Sequence, residues 1–87
     1  MSKELRILED AAKDLAYLMK RDPKLCKKIG ELIEDIQRNS YEGLGKPELL
    51  KYEHGWWSRR ITDEHRLIYR IEGNTIIITA CRHHYDD

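Results

Sequence analysis

The chain has 87 residues, which is the size of one domain with a small core that buries about 60–65% of the unfolded surface. Charged residues make up 37% of the chain, yet 16 basic and 16 acidic side chains cancel, so net charge gives no support for a general nucleic-acid binder. No apolar leader or membrane-length apolar run stands out, and we expect a soluble cytoplasmic protein.

The first half of the chain predicts one strand and two helices. Residues 4–8 are a strand candidate, although a segment of this length also fits the start of a helix. Asp10 is a candidate N-cap for the first helix. Asp22 and Pro23 end that helix and begin the next, because Asp suits the N-cap and Pro the first helical position. Asn39 is the predicted stop of the second helix. Apolar residues recur at helical spacing in both helices: Ala11, Ala12, Leu15, Ala16, Leu18 and Met19, then Leu25, Ile29, Leu32, Ile33 and Ile36.

The second half predicts four strands. Residues 40–47 hold two glycines and a proline and match no nucleotide-binding glycine motif, so we expect a plain helix-to-strand connection. Residues 48–52 form a short strand, and residues 56–71 form a hairpin with its turn at 62–65. Residues 75–81 are the most apolar segment, which predicts a central strand buried on both faces.

Side-chain alternation assigns the hairpin residues to two faces. Trp57, Ile61, Leu67, Tyr69 and Ile71 fall on an apolar face, whereas Trp56, Ser58, Arg60, Arg66, Ile68 and Arg70 fall on the other. Arg59 falls on the apolar side, and we expect it at the margin of the sheet.

The element order predicts an α+β fold, β-α-α-β-β-β-β, with two helices on one face of a mainly antiparallel twisted sheet. The opposite face is then open, and Arg60 and Arg66 project from it. A pair of arginines on a rigid sheet suits phosphate binding, since guanidinium donors match phosphate geometry. The segment from Lys46 to Arg70 contains six basic and four acidic residues, so its net charge is +2.

The groups that metal-free RNA cleavage needs are present in the second half of the chain, on Glu48, Arg60, Arg66 and His84. Attack by the RNA's own 2′-hydroxyl needs a base, a cation for the phosphorane and an acid for the leaving oxygen, and no metal. From the residues alone this set is a weak signal, because such residues occur in most domains of this size, and ordinary surface charge is the favoured interpretation.

Other chemistry finds little support in the sequence. Adjacent His83 and His84 point to opposite sides of an extended chain, so His83, His84, Asp86 and Asp87 form a poor metal site. Cys26 and Cys81 have no metal or redox spacing, and we expect reduced, inert thiols. Ser58 lacks the surroundings of a catalytic nucleophile. Trp56 and Tyr52 could stack on bases, whereas Trp57 and Tyr69 belong to the core.

Three motifs carry a family resemblance: EGLGKPELL, WSRRITDEHRLIY and ACRHHY. With them, residues 27–85 resemble the YoeB/Txe toxins of the RelE superfamily, which belong to bacterial type II toxin–antitoxin systems. The resemblance implies one RelE-like toxin domain. It also implies a metal-independent endoribonuclease, without a cofactor, that cuts mRNA in the A site of the 70S ribosome.

The resemblance also implies residue roles and partners. Glu48 resembles the general base, Arg66 the phosphate-stabilising arginine and His84 the general acid. Tyr85 resembles the tyrosine that positions the scissile nucleotide. Lys51, Arg59 and Arg60 resemble RNA or phosphate contacts. The implied partners are a YefM/Axe-like antitoxin, a second copy in a homodimer, and operator DNA reached only through the antitoxin.

Asp86 and Asp87 depart from the family pattern, in which the chain commonly stops near the tyrosine. Their charge favours protonated His84 but repels phosphate. Two further hypotheses stay open: a degenerate toxin that acts with its antitoxin as a co-repressor, and a gyrase-inhibiting relative.

Overall fold

A computed structural model describes residues 3–51 and 54–82, and within them it has two helices and five strands. In chain order these are β1 (Glu4–Ile7), α1 (Glu9–Arg21), α2 (Pro23–Arg38), β2 (Glu48–Leu49), β3 (Trp57–Arg60), β4 (Arg66–Glu72) and β5 (Thr75–Ala80). The predicted α+β class and element order are confirmed. β2 is shorter than predicted, and Tyr52 lies outside the described residues.

The five strands form one sheet in the order β1-β5-β4-β3-β2. β1 pairs with β5 in parallel, and each of the other neighbouring pairs is antiparallel. β5 therefore lies inside the sheet, and its residues Ile76, Ile77 and Ile78 are all buried. This confirms the prediction of an interior strand that is covered on both faces.

The helix boundaries follow the predicted signals with one correction. α1 begins at Glu9 with Leu8 at the N-cap, so the prediction that Asp10 caps it is wrong. Asp10 lies in the first turn instead, where a negative charge is favourable near the positive end of the helix dipole. α2 has Asp22 at its N-cap position, Pro23 as its first residue and Asn39 at its C-cap, as predicted.

The main core lies between the two helices and one face of the sheet. The helices contribute Ala11, Leu18, Ile29, Leu32 and Ile36, and the sheet side contributes Ile61, Leu67, Tyr69, Ile76, Ile78 and Cys81. Ala12 and Met19, which share the helical spacing, are exposed because α1 turns only a narrow stripe toward the sheet. In the described parts of the chain, neither helix is both long and apolar enough to cross a lipid bilayer.

The opposite face of the sheet is less open than predicted. Leu50, Ile68 and Ala80 form a second, smaller buried cluster there, and Trp56 packs against it. The Arg70 guanidinium lies over the Trp56 ring, 5.3 Å from its centroid. Trp56 is therefore in contact with protein groups on this face, and part of the face is apolar.

The Cys81 thiol is expected to be unreactive in the folded protein. Burial raises its pKa to about 12, and Asp14 contributes in the same direction, so the nucleophilic thiolate is scarce at neutral pH. Maleimide labelling followed by mass spectrometry should modify half-buried Cys26 first and Cys81 only after denaturation. Labelling of Cys81 at the rate of Cys26 in the native protein would contradict this.

Candidate functional site

The sheet face turned away from the helices brings three of the predicted site residues together. Glu48 of β2 lies opposite Ser58 of β3, and Arg60 of β3 lies opposite Arg66 of β4. Directly opposed residues share a face, and residues two apart along one strand also share it. Glu48, Arg60 and Arg66 therefore occupy one face. Alternation predicted this for Arg60 and Arg66, whereas the position of Glu48 follows from its pairing with Ser58.

Ser58 lies on the strand between Glu48 and Arg66 and is hydrogen-bonded to Arg66. The Arg66 Nη1 donates a hydrogen bond to the Ser58 Oγ at 3.2 Å. Both side chains are buried, with 9% of Arg66 and 1% of Ser58 exposed. Ser58 is also the cross-strand partner of Glu48, so Ser58 on β3 lies between the strand that carries Glu48 and the strand that carries Arg66. The sequence placed Ser58 on this face but suggested no role for it.

The two opposed arginines make this face suited to an anion. Like charges directly across an antiparallel pair destabilise a sheet, and a phosphate between them would relieve the repulsion. Guanidinium groups also match phosphate oxygens in geometry. Arg60 is half-buried, Lys51 is exposed just beyond β2, and Glu48 is exposed. A polar substrate can therefore reach the carboxylate from solvent.

His84 and Tyr85 lie outside the described residues, as do His83, Asp86 and Asp87. The strand that leads to them is described. β5 runs antiparallel to β4 with Ala80 opposite Ile68, so Cys81 and Arg82 continue toward the end of the sheet at which Arg66 begins β4. Among the described residues, no group of three or more His, Cys, Asp or Glu side chains is arranged to hold a metal ion.

Arg59 does not lie at the sheet margin, and this expectation was wrong. Its side chain is 0% exposed and forms an ion pair with Asp35 of α2. Its guanidinium also donates to the Tyr69 hydroxyl and to the backbone oxygens of Asn39, Glu42 and Leu44. A buried charge is tolerated where such partners surround it. In this structure Arg59 is thus turned away from solvent, which contradicts its assignment as an RNA contact.

The loop of residues 40–47 is organised around this buried guanidinium and is not a plain connection. Asp35 also accepts the Leu44 N–H at 2.9 Å, and this bond together with Arg59 lowers the pKa of the Asp35 carboxyl. Burial raises the pKa of Tyr69, so its hydroxyl stays protonated and donates to the Ser40 oxygen at 2.6 Å. The sequence contained no local signal for these contacts, since their partners are distant along the chain.

The end of the loop is hydrogen-bonded to β3 and leads into β2, the two strands that carry Arg60 and Glu48. The Arg60 N–H donates to the Gly45 oxygen at 2.6 Å. Gly45 has φ +79, and a Cβ there would lie 2.9 Å from the Arg60 oxygen, so only glycine fits this close approach. Glu48 follows three residues later and starts β2.

Comparison with known proteins identifies the family of this chain. Residues 8–85 match the model of a family described as the YoeB-like toxin of bacterial type II toxin–antitoxin systems. Toxin YoeB of Escherichia coli K12 is 49% identical over 78 residues, which cover 88% of this chain and 93% of that protein.

Solved structures from Staphylococcus aureus have the same fold. A YoeB dimer is 42% identical with a TM-score of 0.91, and the match covers 98% of this chain and 100% of that one. A heterotetrameric YoeB–YefM toxin–antitoxin complex is also 42% identical, with a TM-score of 0.86 and the same coverage. The chain therefore belongs to the YoeB family, the toxins of bacterial type II toxin–antitoxin systems.

Proposed function

We propose that this toxin is a ribosome-dependent endoribonuclease that cleaves mRNA in the ribosomal A site and so inhibits translation. The proposal is supported by the shared face of Glu48, Arg60 and Arg66, on which Glu48 is the cross-strand partner of Ser58 and the Arg66 guanidinium donates to the Ser58 hydroxyl. An exposed carboxylate next to fixed guanidinium groups is the arrangement that phosphodiester cleavage by proton transfer requires.

In the proposed reaction, Glu48 removes the proton of the 2′-hydroxyl, and the 2′ oxygen attacks the neighbouring phosphorus. Arg66, supported by Arg60, stabilises the negative charge of the phosphorane. The bond to the 5′ oxygen then breaks, and His84 gives its proton to that oxygen. The products are a 2′,3′-cyclic phosphate and a free 5′-hydroxyl, so the reaction needs no metal and no cofactor.

Tyr85 and Lys51 are the proposed positioning contacts to the scissile nucleotide and the RNA backbone. The balanced total charge of the chain fits a substrate that the ribosome delivers, because non-specific RNA affinity rises with positive charge. The bacterial cytoplasm, where ribosomes work, is the proposed location.

The proposed protein partners are inferred from solved structures of similar proteins. A Staphylococcus aureus relative has been solved as a dimer and in complex with YefM. By analogy we propose that a YefM-like antitoxin neutralises this toxin, that two copies can pair, and that operator DNA is reached only through the antitoxin.

The proposed reaction is tested by primer extension on ribosome-bound mRNA with the purified toxin. We expect a cut within the A-site codon, a 2′,3′-cyclic phosphate end that phosphatase alone does not remove, and no loss of activity in EDTA on a preformed, crosslinked ribosome complex. Cleavage of free RNA at the same rate would contradict the ribosome requirement. Intact mRNA would contradict the activity itself and favour the co-repressor hypothesis.

Glu48→Gln should remove the base while keeping the size of the side chain. General-base catalysis contributes about 10²–10⁴-fold, so we expect the single-turnover cleavage rate to fall within that range. Glu4→Gln is the matched control, since Glu4 is an exposed acid on β1 at the other edge of the sheet. Equal rates for Glu48→Gln and the parent would exclude Glu48 as the base.

Ser58→Ala should weaken cleavage by removing one hydrogen bond that positions the Arg66 guanidinium. A hydrogen bond to a charged group contributes about 1.5 kcal/mol or more, which corresponds to roughly a tenfold lower rate if it is lost from the transition state. Thr75→Ala removes a hydroxyl at the far end of β5 and serves as the control. Wild-type rates in Ser58→Ala would show that Arg66 does not need Ser58.

A further inference from the structure

We infer that Asp35 and Arg59 are positioning residues for Glu48, acting through the loop of residues 40–47. Together with Tyr69 and the backbone oxygens of Asn39, Glu42 and Leu44, they form what we call the Arg59 clamp. The inference rests on the proposed function, since it assigns a catalytic consequence to contacts that lie on the helix side of the sheet.

The Arg59 guanidinium makes five hydrogen bonds, equal to its number of N–H donors. Nε donates to the Tyr69 hydroxyl at 3.2 Å, and Nη1 donates to Asp35 and to the Leu44 oxygen. Nη2 donates to the Asn39 oxygen at 2.7 Å and to the Glu42 oxygen at 2.8 Å. Arg59 can therefore bind a phosphate only by releasing the loop.

Asp35 ties the same loop to α2. Its Oδ2 accepts both the Arg59 Nη1 and the Leu44 N–H, so one carboxylate oxygen joins helix, strand and loop. The fit is tight at Gly43, where an added Cβ would lie 2.1 Å from that oxygen. Both polar groups of the Leu44 backbone are thus bound within the clamp.

A short and constrained path leads from the clamp to Glu48. The Gly45 oxygen is bound by the Arg60 N–H, and Lys46 has φ +50, a conformation that is uncommon for residues other than glycine. Pro47 then restricts the backbone further. The backbone between Leu44 and Glu48 therefore has few freely rotating torsions. A displacement of Leu44 is then transmitted to Glu48 and is not absorbed on the way.

β2 has little burial of its own to hold Glu48 in place. It is a two-residue edge strand, both of its residues are exposed, and 56% of Leu49 is accessible. It pairs with β3, and Leu50, which directly follows it, is buried and donates its N–H to the Trp56 oxygen at 2.9 Å. On the side of Glu48, the chain comes directly from the loop. The position of the carboxylate thus depends on the loop, and the loop depends on the clamp.

The test uses Asp35→Asn in the full-length toxin, which keeps the side chain's size and an oxygen acceptor but removes its charge. We expect the cleavage rate at saturating ribosomes to fall about tenfold to a hundredfold with KM nearly unchanged, since small misplacements of a catalytic group have effects of this size. Hydrogen exchange of the Leu44 and Arg60 amides should become faster in the same variant.

Gln37→Ala is the matched control for a loss of stability alone. Gln37 lies on the same helix, and its amide makes two hydrogen bonds to the Lys3 backbone next to β1, far from Glu48. This variant should lower Tm but leave the cleavage rate and the exchange of the loop amides unchanged.

A double variant, Asp35→Leu with Arg59→Met, covers the case in which Asp35→Asn does not fold. Apolar replacement of a buried ion pair often preserves stability, so this variant should fold while its loop amides exchange faster and its cleavage slows by a similar factor. Full-rate cleavage by a folded clamp variant, or unchanged loop exchange, overturns the inference alone. A parent protein that does not cleave overturns the proposed function and the catalytic inference with it.

Discussion

One buried guanidinium, that of Arg59, holds together parts of the molecule that are far apart in the chain. It joins α2 through Asp35 and the Asn39 oxygen, β4 through Tyr69, and the loop through the backbone oxygens of Glu42 and Leu44. Burying a charge without such partners is strongly unfavourable, so the loop must fold around Arg59 for the core to close. The same contacts place the segment that leads into β2, and the candidate site begins there.

Arg59 and Arg60 show how one strand serves two purposes. They are neighbours in sequence, but successive side chains of a strand point to opposite faces. Arg59 enters the interface with the helices, whereas Arg60 joins Arg66 on the far face, across β3 and β4. Structural support and candidate chemistry therefore lie back to back on β3, separated only by the thickness of the sheet.

The candidate site has one part that is fixed within the sheet and one part whose position depends on neighbouring segments. Arg66 and Ser58 are buried in paired strands and hydrogen-bonded to each other, so their positions come with the sheet. Glu48 lies on a short exposed edge strand whose position depends on β3 and the loop.

The sequence by itself determined the element order, the fold class, the two faces of the hairpin and the family, because periodicity and contiguous motifs are local properties of a chain. It also assigned Arg60 and Arg66 to one face, and the strand pairing of the structure added Glu48 to it. Only the tertiary structure decided that Arg59 is buried, that Arg66 rests on Ser58 and that Leu50, Ile68 and Ala80 cover part of the face predicted to be open. Alternation tells which side of a sheet a residue faces. How deeply it is buried depends on partners such as Asp35 and the loop carbonyls, which come from distant parts of the chain and are brought close only by folding.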